Sequence, residues 1–302
     1  MKILHIYQNT PEGQLLFYTL SDFLVYFTIF CSTARKHELK VLGLCPMFDH
    51  LHVLFDAEHR EDVAPCIGEY SRRYSRAFNE SINSKGPLFN SGFGCAVKTG
   101  DKAIRTACSY LYNNPCEKGL CKRSEDYRWT FLAYAASPHP FSEKIRLDKA
   151  SRKLRQSLKE IKFYRDADKA LSYVVLKRLF FGLDKTEKEQ LTDCIISSYN
   201  CLDYESLISL YGSYDKMCLA FASNQGSEYD IAETFEPGSH RIYPYISKTI
   251  VTKLGFTNVK DVFNIPRTRQ VSIANTLLKT TPAQAWQLRK YFQWPKDLSA
   301  GA

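Results

Sequence analysis

The chain has 302 residues, 44% of them hydrophobic, and a formal net charge of +9. That is enough for two ordinary domains or one large one, with apolar residues to spare for a core. The excess of 41 Lys and Arg over 32 Asp and Glu fits a polyanionic partner such as nucleic acid, without by itself fixing one.

Leu15–Thr33 reads as a helix on a core, with Leu16, Leu20, Phe23, Leu24, Phe27 and Phe30 at helical spacing. Its apolar run, Phe23–Cys31, is too short to cross a bilayer, so no membrane partner is expected. Lys40–Cys45 and Leu51–Phe55 read as two strands, and the short turn Pro46–Asp49 makes them antiparallel neighbours. Glu61–Asn79 is a second helix, Gly86–Phe93 a Gly-rich loop and Cys95–Lys98 a short strand. Asp101–Asn113 is a third helix, with Pro115 just beyond it as a stop. This α+β region is expected to cover 1–136 and to end at the break Ser137-Pro138-His139-Pro140. Residues 141–302 then read as a mainly helical, DNA-binding domain, basic at its start. The ten cysteines include no CxxC pair, and the start Met1–Thr10 lacks the apolar stretch of a signal peptide, so reduced thiols in a cytoplasmic protein are the expectation.

His50-Leu51-His52 heads an apolar strand. Alternation puts His50 and His52 on one face, where both imidazoles can reach one divalent metal, and sends Leu51 into the opposite layer. Tyr110 and Asn114 stand four apart and share a helix face. A phenol can attack phosphorus and form a covalent intermediate, and a metal can polarise the phosphodiester it attacks. Tyr112 points elsewhere and reads as structural.

These pieces occur in a known order. Met47-Phe48-Asp49-His50-Leu51-His52, Tyr74–Asn79, Gly86-Pro87-Leu88-Phe89, Tyr110-Leu111-Tyr112-Asn113-Asn114-Pro115 and Asp126-Tyr127-Arg128-Trp129-Thr130 resemble five successive motifs of the single-tyrosine HUH transposases. The match is nearest to the branch associated with repetitive extragenic palindromes, and it spans about residues 5–134. The chain departs from the pattern at Phe48-Asp49, where Pro-Asn is usual, and at Gly92-Phe93-Gly94, where Arg-Phe is common. The resemblance implies a ferredoxin-like antiparallel sheet with helices, often dimeric. It implies a metal-dependent endonuclease that cuts and rejoins single-stranded, hairpin-bearing DNA. Tyr110 would be the nucleophile, with His50, His52 and Asn114 holding the metal. A mixed nitrogen and oxygen set without thiolate suits Mg2+ or Mn2+. The rival readings are a DNA-binding protein of the same fold that no longer cuts, and an RNA-binding or scaffolding protein.

Candidates for DNA contact are Arg72, Arg73 and Arg76 on the second helix and Lys153 in the basic stretch. Residues 271–292 suggest a helix-turn-helix, which adds Arg267, Arg269, Gln284, Gln287 and Arg289. The second half is thus expected to supply DNA affinity and sequence choice rather than chemistry.

Overall fold

The short run Ile3, Leu4, Ile6 and Tyr7, broken only by His5, forms a strand at the start of the chain that no motif marks. In the computed structural model, which describes residues 1–225 and 240–295, Lys2–Asn9 is β1, the inner strand of the sheet. It pairs antiparallel with β3 (His50–Asp56) on one side and with β4 (Gly94–Thr99) on the other. β2 (Lys40–Pro46) pairs with β3 across the expected tight turn, giving the order β2-β3-β1-β4. With α1 (Leu20–Lys36) between β1 and β2, and α2 (Arg60–Ser81) between β3 and β4, this is the ferredoxin-like βαββαβ arrangement. The helix α3 (Asp101–Glu117) then covers the opposite face of the sheet from α1 and α2.

Helix α1 begins at Leu20, five residues later than its apolar spacing suggests. Thr19 and Asp22 close a capping box there, and the Asp22 carboxylate also accepts from the Tyr18 backbone N–H at 2.9 Å. Leu15–Tyr18 are buried nonetheless, as an irregular run: the Leu16 N–H donates to the Phe48 carbonyl at 2.6 Å. Pro115 lies inside α3 and not beyond it. A proline near a helix end removes one backbone donor, and the helix runs on to Glu117 before Gly119, at φ +71°, takes the left-handed turn that stops it.

The second half consists of α4 (Arg152–Asp166), α5 (Tyr173–Phe180), α6 (Lys185–Tyr199), α7 (Tyr204–Ser209), α8 (Tyr214–Ser223), α9 (Ile242–Lys253), α10 (Arg267–Thr280) and α11 (Ala285–Tyr291). One apolar cluster runs from β1, β3 and α1 through Leu176, Ile195, Tyr199, Ile246, Leu288 and Trp294. The segment at 137–141 is pinned: the Phe141 N–H donates to buried Asp193 at 3.0 Å, and Ser197 Oγ donates to the Pro138 carbonyl at 2.6 Å. Lys260 Nζ reaches the Asp22 carboxylate at 2.7 Å and lies 3.9 Å from the Tyr173 ring centre, tying the start of α1 to the second half. Among the described residues, no helix is long and apolar enough to cross a membrane. Gly226–Asp230, in which the sequence suggests no chemistry, lie outside the described residues.

Candidate active site

The pleat decides which side chains face α3. His50, His52 and Leu54 of β3 point to that side, while Leu51, Val53 and Phe55 enter the core under α1 and α2. On β1 the register pairs Tyr7 with His52, so His5 and Tyr7 share their face. The Tyr7 ring lies across Gly94 of the neighbouring strand, where a Cβ would fall 1.8 Å from it. From the other side, α3 contributes Tyr110 and Asn114, as the i, i+4 spacing requires.

These groups meet. Asn114 Nδ2 donates to His52 Nε2 at 3.3 Å, and His52 Nδ1 faces His5 Nε2 at 3.2 Å. The half-buried Tyr110 ring packs edge-on against His52 at 5.3 Å and against His5 at 5.7 Å between centroids. The His50 and His52 rings are 5.0 Å apart and nearly perpendicular. Burial is the largest influence on His52 and holds its pKa well below the usual histidine value, so it is neutral at neutral pH. Tyr112 points away: its hydroxyl donates to the Leu42 carbonyl at 3.1 Å, and its ring stacks on Phe221.

His50 has a second partner set that the sequence did not reveal. Its Nδ1 lies 2.7 Å from the Asp49 carboxylate, which leaves Nε2 for a metal or a water. Two buried groups from the second half also approach Asp49, His240 Nε2 at 3.7 Å and Lys290 Nζ at 3.7 Å. Burial works to raise the Asp49 carboxyl, but the His50 hydrogen bond and the nearby His50, His240 and Lys290 override it, and the group stays ionised. Gly13, at φ +71°, leaves the room that Lys290 occupies, and the His240 N–H donates to the Lys118 carbonyl at the end of α3. The second half, expected to stand apart from this face of the sheet, thus brings two buried groups up to Asp49.

Among the described residues, no three of His, Cys, Asp and Glu converge on a point that could hold a metal ion. The set that fits one here is two imidazoles and an amide. Asn114 Oδ1 is buried and accepts no hydrogen bond from any described residue, a cost that coordination would relieve. Two imidazole nitrogens and an amide oxygen are a mixed donor set that a divalent cation could join.

The DNA-contact candidates divide. Arg72, Arg76 and Arg269 are exposed. Arg73 is spent between helices, donating to Thr33 Oγ1 at 2.9 Å. Lys153 donates to the Arg178 carbonyl at 2.8 Å. Arg267 is exposed and stacks over Trp294 at 3.8 Å. The two helices at 267–291 form, but the second does not present a reading face. Gln287 is buried and caps the helix by accepting from the Gln284 N–H at 2.9 Å, and Arg289 donates to Glu12 at 3.1 Å. Gln284 is exposed, with its carbonyl oxygen accepting from the Trp286 indole. The cap at Gln284 and the pairing with Glu12 take up Gln287 and Arg289, while Tyr291 packs against Tyr18, so these side chains are not left to a groove.

Of the missed groups, His5 had a readable signal, since Ile3-Leu4-His5-Ile6-Tyr7 is a short, mostly apolar run of strand length. His240 and Lys290 had none.

Residues 20–114 match the family described as IS200-like transposases. Among solved structures, the chain is similar to a REP-associated tyrosine transposase bound to a REP hairpin. The two are 13% identical, with 45% of this chain and 79% of that one covered at a TM-score of 0.39. No curated protein matches the sequence. The matched segment, about a third of the chain, contains the histidine strand and most of the tyrosine helix together, and over it the chain is similar to the IS200-like transposases.

Proposed function

We propose that the chain is a metal-dependent endonuclease and strand transferase for single-stranded DNA, with Tyr110 as nucleophile. The observation that carries the reading is the meeting of Tyr110, His52 and Asn114 on one face of the sheet, with His50 beside them. The Tyr110 hydroxyl oxygen attacks phosphorus, the bond to the 3′ oxygen breaks, and a 5′-phosphotyrosine and a free 3′-hydroxyl result. The phenol gives up its proton and the departing oxygen gains one. The reverse attack by a 3′-hydroxyl rejoins the strand, because the phosphotyrosine keeps the energy of the broken bond. His50 Nε2, His52 Nε2 and Asn114 Oδ1 would hold Mg2+ or Mn2+. When bound, the ion polarises the phosphodiester and orients it for in-line attack. The His52 and His5 rings set the plane of the Tyr110 phenol. Asp49 fixes His50 so that its Nε2 points into the site.

The test is incubation of the full chain with labelled hairpin single strands and Mg2+ or Mn2+. A covalent adduct is expected from the parent and none from Tyr110→Phe. An adduct that persists in Tyr110→Phe removes the nucleophile assignment. Binding of the strand without any adduct from the parent leaves a DNA-binding protein of this fold.

A further inference from the structure

We propose that His5 is a positioning residue that keeps the proton of His52 on Nδ1, so that Nε2 faces the site as a lone pair. The inference rests on the reading of His50 and His52 as metal ligands. It starts from the sheet: β1 and β3 are adjacent antiparallel strands, and His5 stands diagonally from His52 on the same face. Both side chains are fully buried, with ring centroids 5.3 Å apart. His5 Nε2 and His52 Nδ1 face each other at 3.2 Å, and a single proton fits between them.

The other edge of the ring says which nitrogen owns it. Asn114 Nδ2 lies 3.3 Å from His52 Nε2. An amide nitrogen only donates, so His52 Nε2 accepts. A neutral His52 with an accepting Nε2 carries its proton on Nδ1 and donates it to His5 Nε2. Imidazole free in water favours the opposite tautomer, and burial withholds water as a substitute partner. A metal needs an unprotonated ring nitrogen, and the partner on the other nitrogen decides which one that is. His5 thus does for His52 what Asp49 does for His50. One ligand histidine is held by a carboxylate in the turn just before its strand and the other by an imidazole on the next strand.

The experiment uses the full chain with 15N-labelled histidine, free of metal, followed by titration with Mn2+. Long-range 1H–15N spectra are expected to show His52 protonated on Nδ1. His5→Phe keeps a ring in place but removes the acceptor. It is expected to move His52 toward the Nε2-protonated form and to weaken Mn2+ binding by about 10- to 100-fold. His5→Gln, whose amide oxygen can accept, should restore the parent spectrum and most of the affinity. A parent His52 protonated on Nε2 overturns the proposal, and that spectrum decides it even where His5→Phe does not fold. So does a folded His5→Phe with unchanged tautomer and Mn2+ affinity. A parent with the Nδ1–H spectrum that binds no Mn2+ overturns the metal reading while upholding the assignment of the proton.

Discussion

Toward α1 and α2 the sheet sends Leu4, Ile6, Leu51, Val53 and Phe55, all buried among aromatic and aliphatic neighbours such as Phe30 and Tyr70. Toward the end of α3 the same two strands send His5, His50 and His52, also largely shielded from water but lined by Asn114, Tyr110 and the Asp49 cluster. The two sets interleave residue by residue along β1 and β3. Because a strand alternates its faces, a step of one position passes from a group that holds the fold together to a group placed for chemistry. Buried polar groups add little net stability when paired and cost much when left unpaired. The α3 side therefore holds its histidines by mutual hydrogen bonds, whereas the α1–α2 side relies on apolar area.

The widest separation between the faces should appear on β3 itself. Phe55→Ala removes a fully buried ring and is expected to cost about 3–5 kcal/mol, read from urea unfolding. His50→Ala should abolish metal-dependent adduct formation while costing only about 1–2 kcal/mol, since it leaves Asp49 with His240 and Lys290. Equal destabilisation by the two substitutions would break the comparison. So would full cleavage by His50→Ala.

Much of this arrangement could be read from the residues. The spacing of His50 and His52, and of Tyr110 and Asn114, translates directly into shared faces, because strand and helix periods are fixed by backbone geometry. The ferredoxin-like sheet came with the motif order. What stayed hidden was of two kinds. Local signals competed at the start of α1, where apolar spacing extends to Leu15 but the Thr19–Asp22 cap sets the boundary, and at Pro115, which one turn from a helix end breaks little. Long-range meetings left no local trace. His240 and Lys290 lie about 190 and 240 residues from Asp49, and only the packing of α9–α11 against the turn before β3 brings them there. The same packing uses up Gln287 and Arg289, which a sequence pattern could only read as exposed.

The pH dependence sharpens the contrast, because it belongs to the α3 side. Burial, ahead of all other influences, pushes the His240 pKa down to about 4. An unfolded chain binds the proton near the ordinary value of about 6.5. Between those limits the unfolded state holds more protons than the folded one, so stability rises with pH across the window and is lost as pH falls through it. A shift of this size corresponds to about 3 kcal/mol, in metal-free protein. His240→Gln should flatten the stability profile between pH 6.5 and about 4 in proportion. Urea midpoints measured at pH 7, 6 and 5 report it. A variant as steep as the parent would move the dependence to other groups, with His52 the first to examine, since its burial acts in the same direction.

The smallest expected effect tests the comparison at the surface, on neighbouring residues of α2. Arg73 bridges α2 to α1, donating to Thr33 Oγ1 at 2.9 Å and to Ser32 Oγ at 3.4 Å, with the Glu69 carboxylate 3.7 Å away. Arg72 and Arg76 stand four residues apart and are exposed, the geometry of side chains that can meet successive phosphates. Arg73→Ala should therefore cost about 1 kcal/mol of stability and leave DNA affinity almost unchanged. Arg72→Ala should leave stability alone. Under the proposed function it should reduce the slope of log affinity against log salt by about 0.7, the contribution of one phosphate contact on a single strand. Both readings come from one pair of measurements, urea unfolding and a salt series of hairpin-strand binding. If neither Arg72→Ala nor Arg73→Ala lowers the salt slope, then exposure on α2 does not mark the strand's path. The DNA would then lie on the α3 side alone, close to Tyr110.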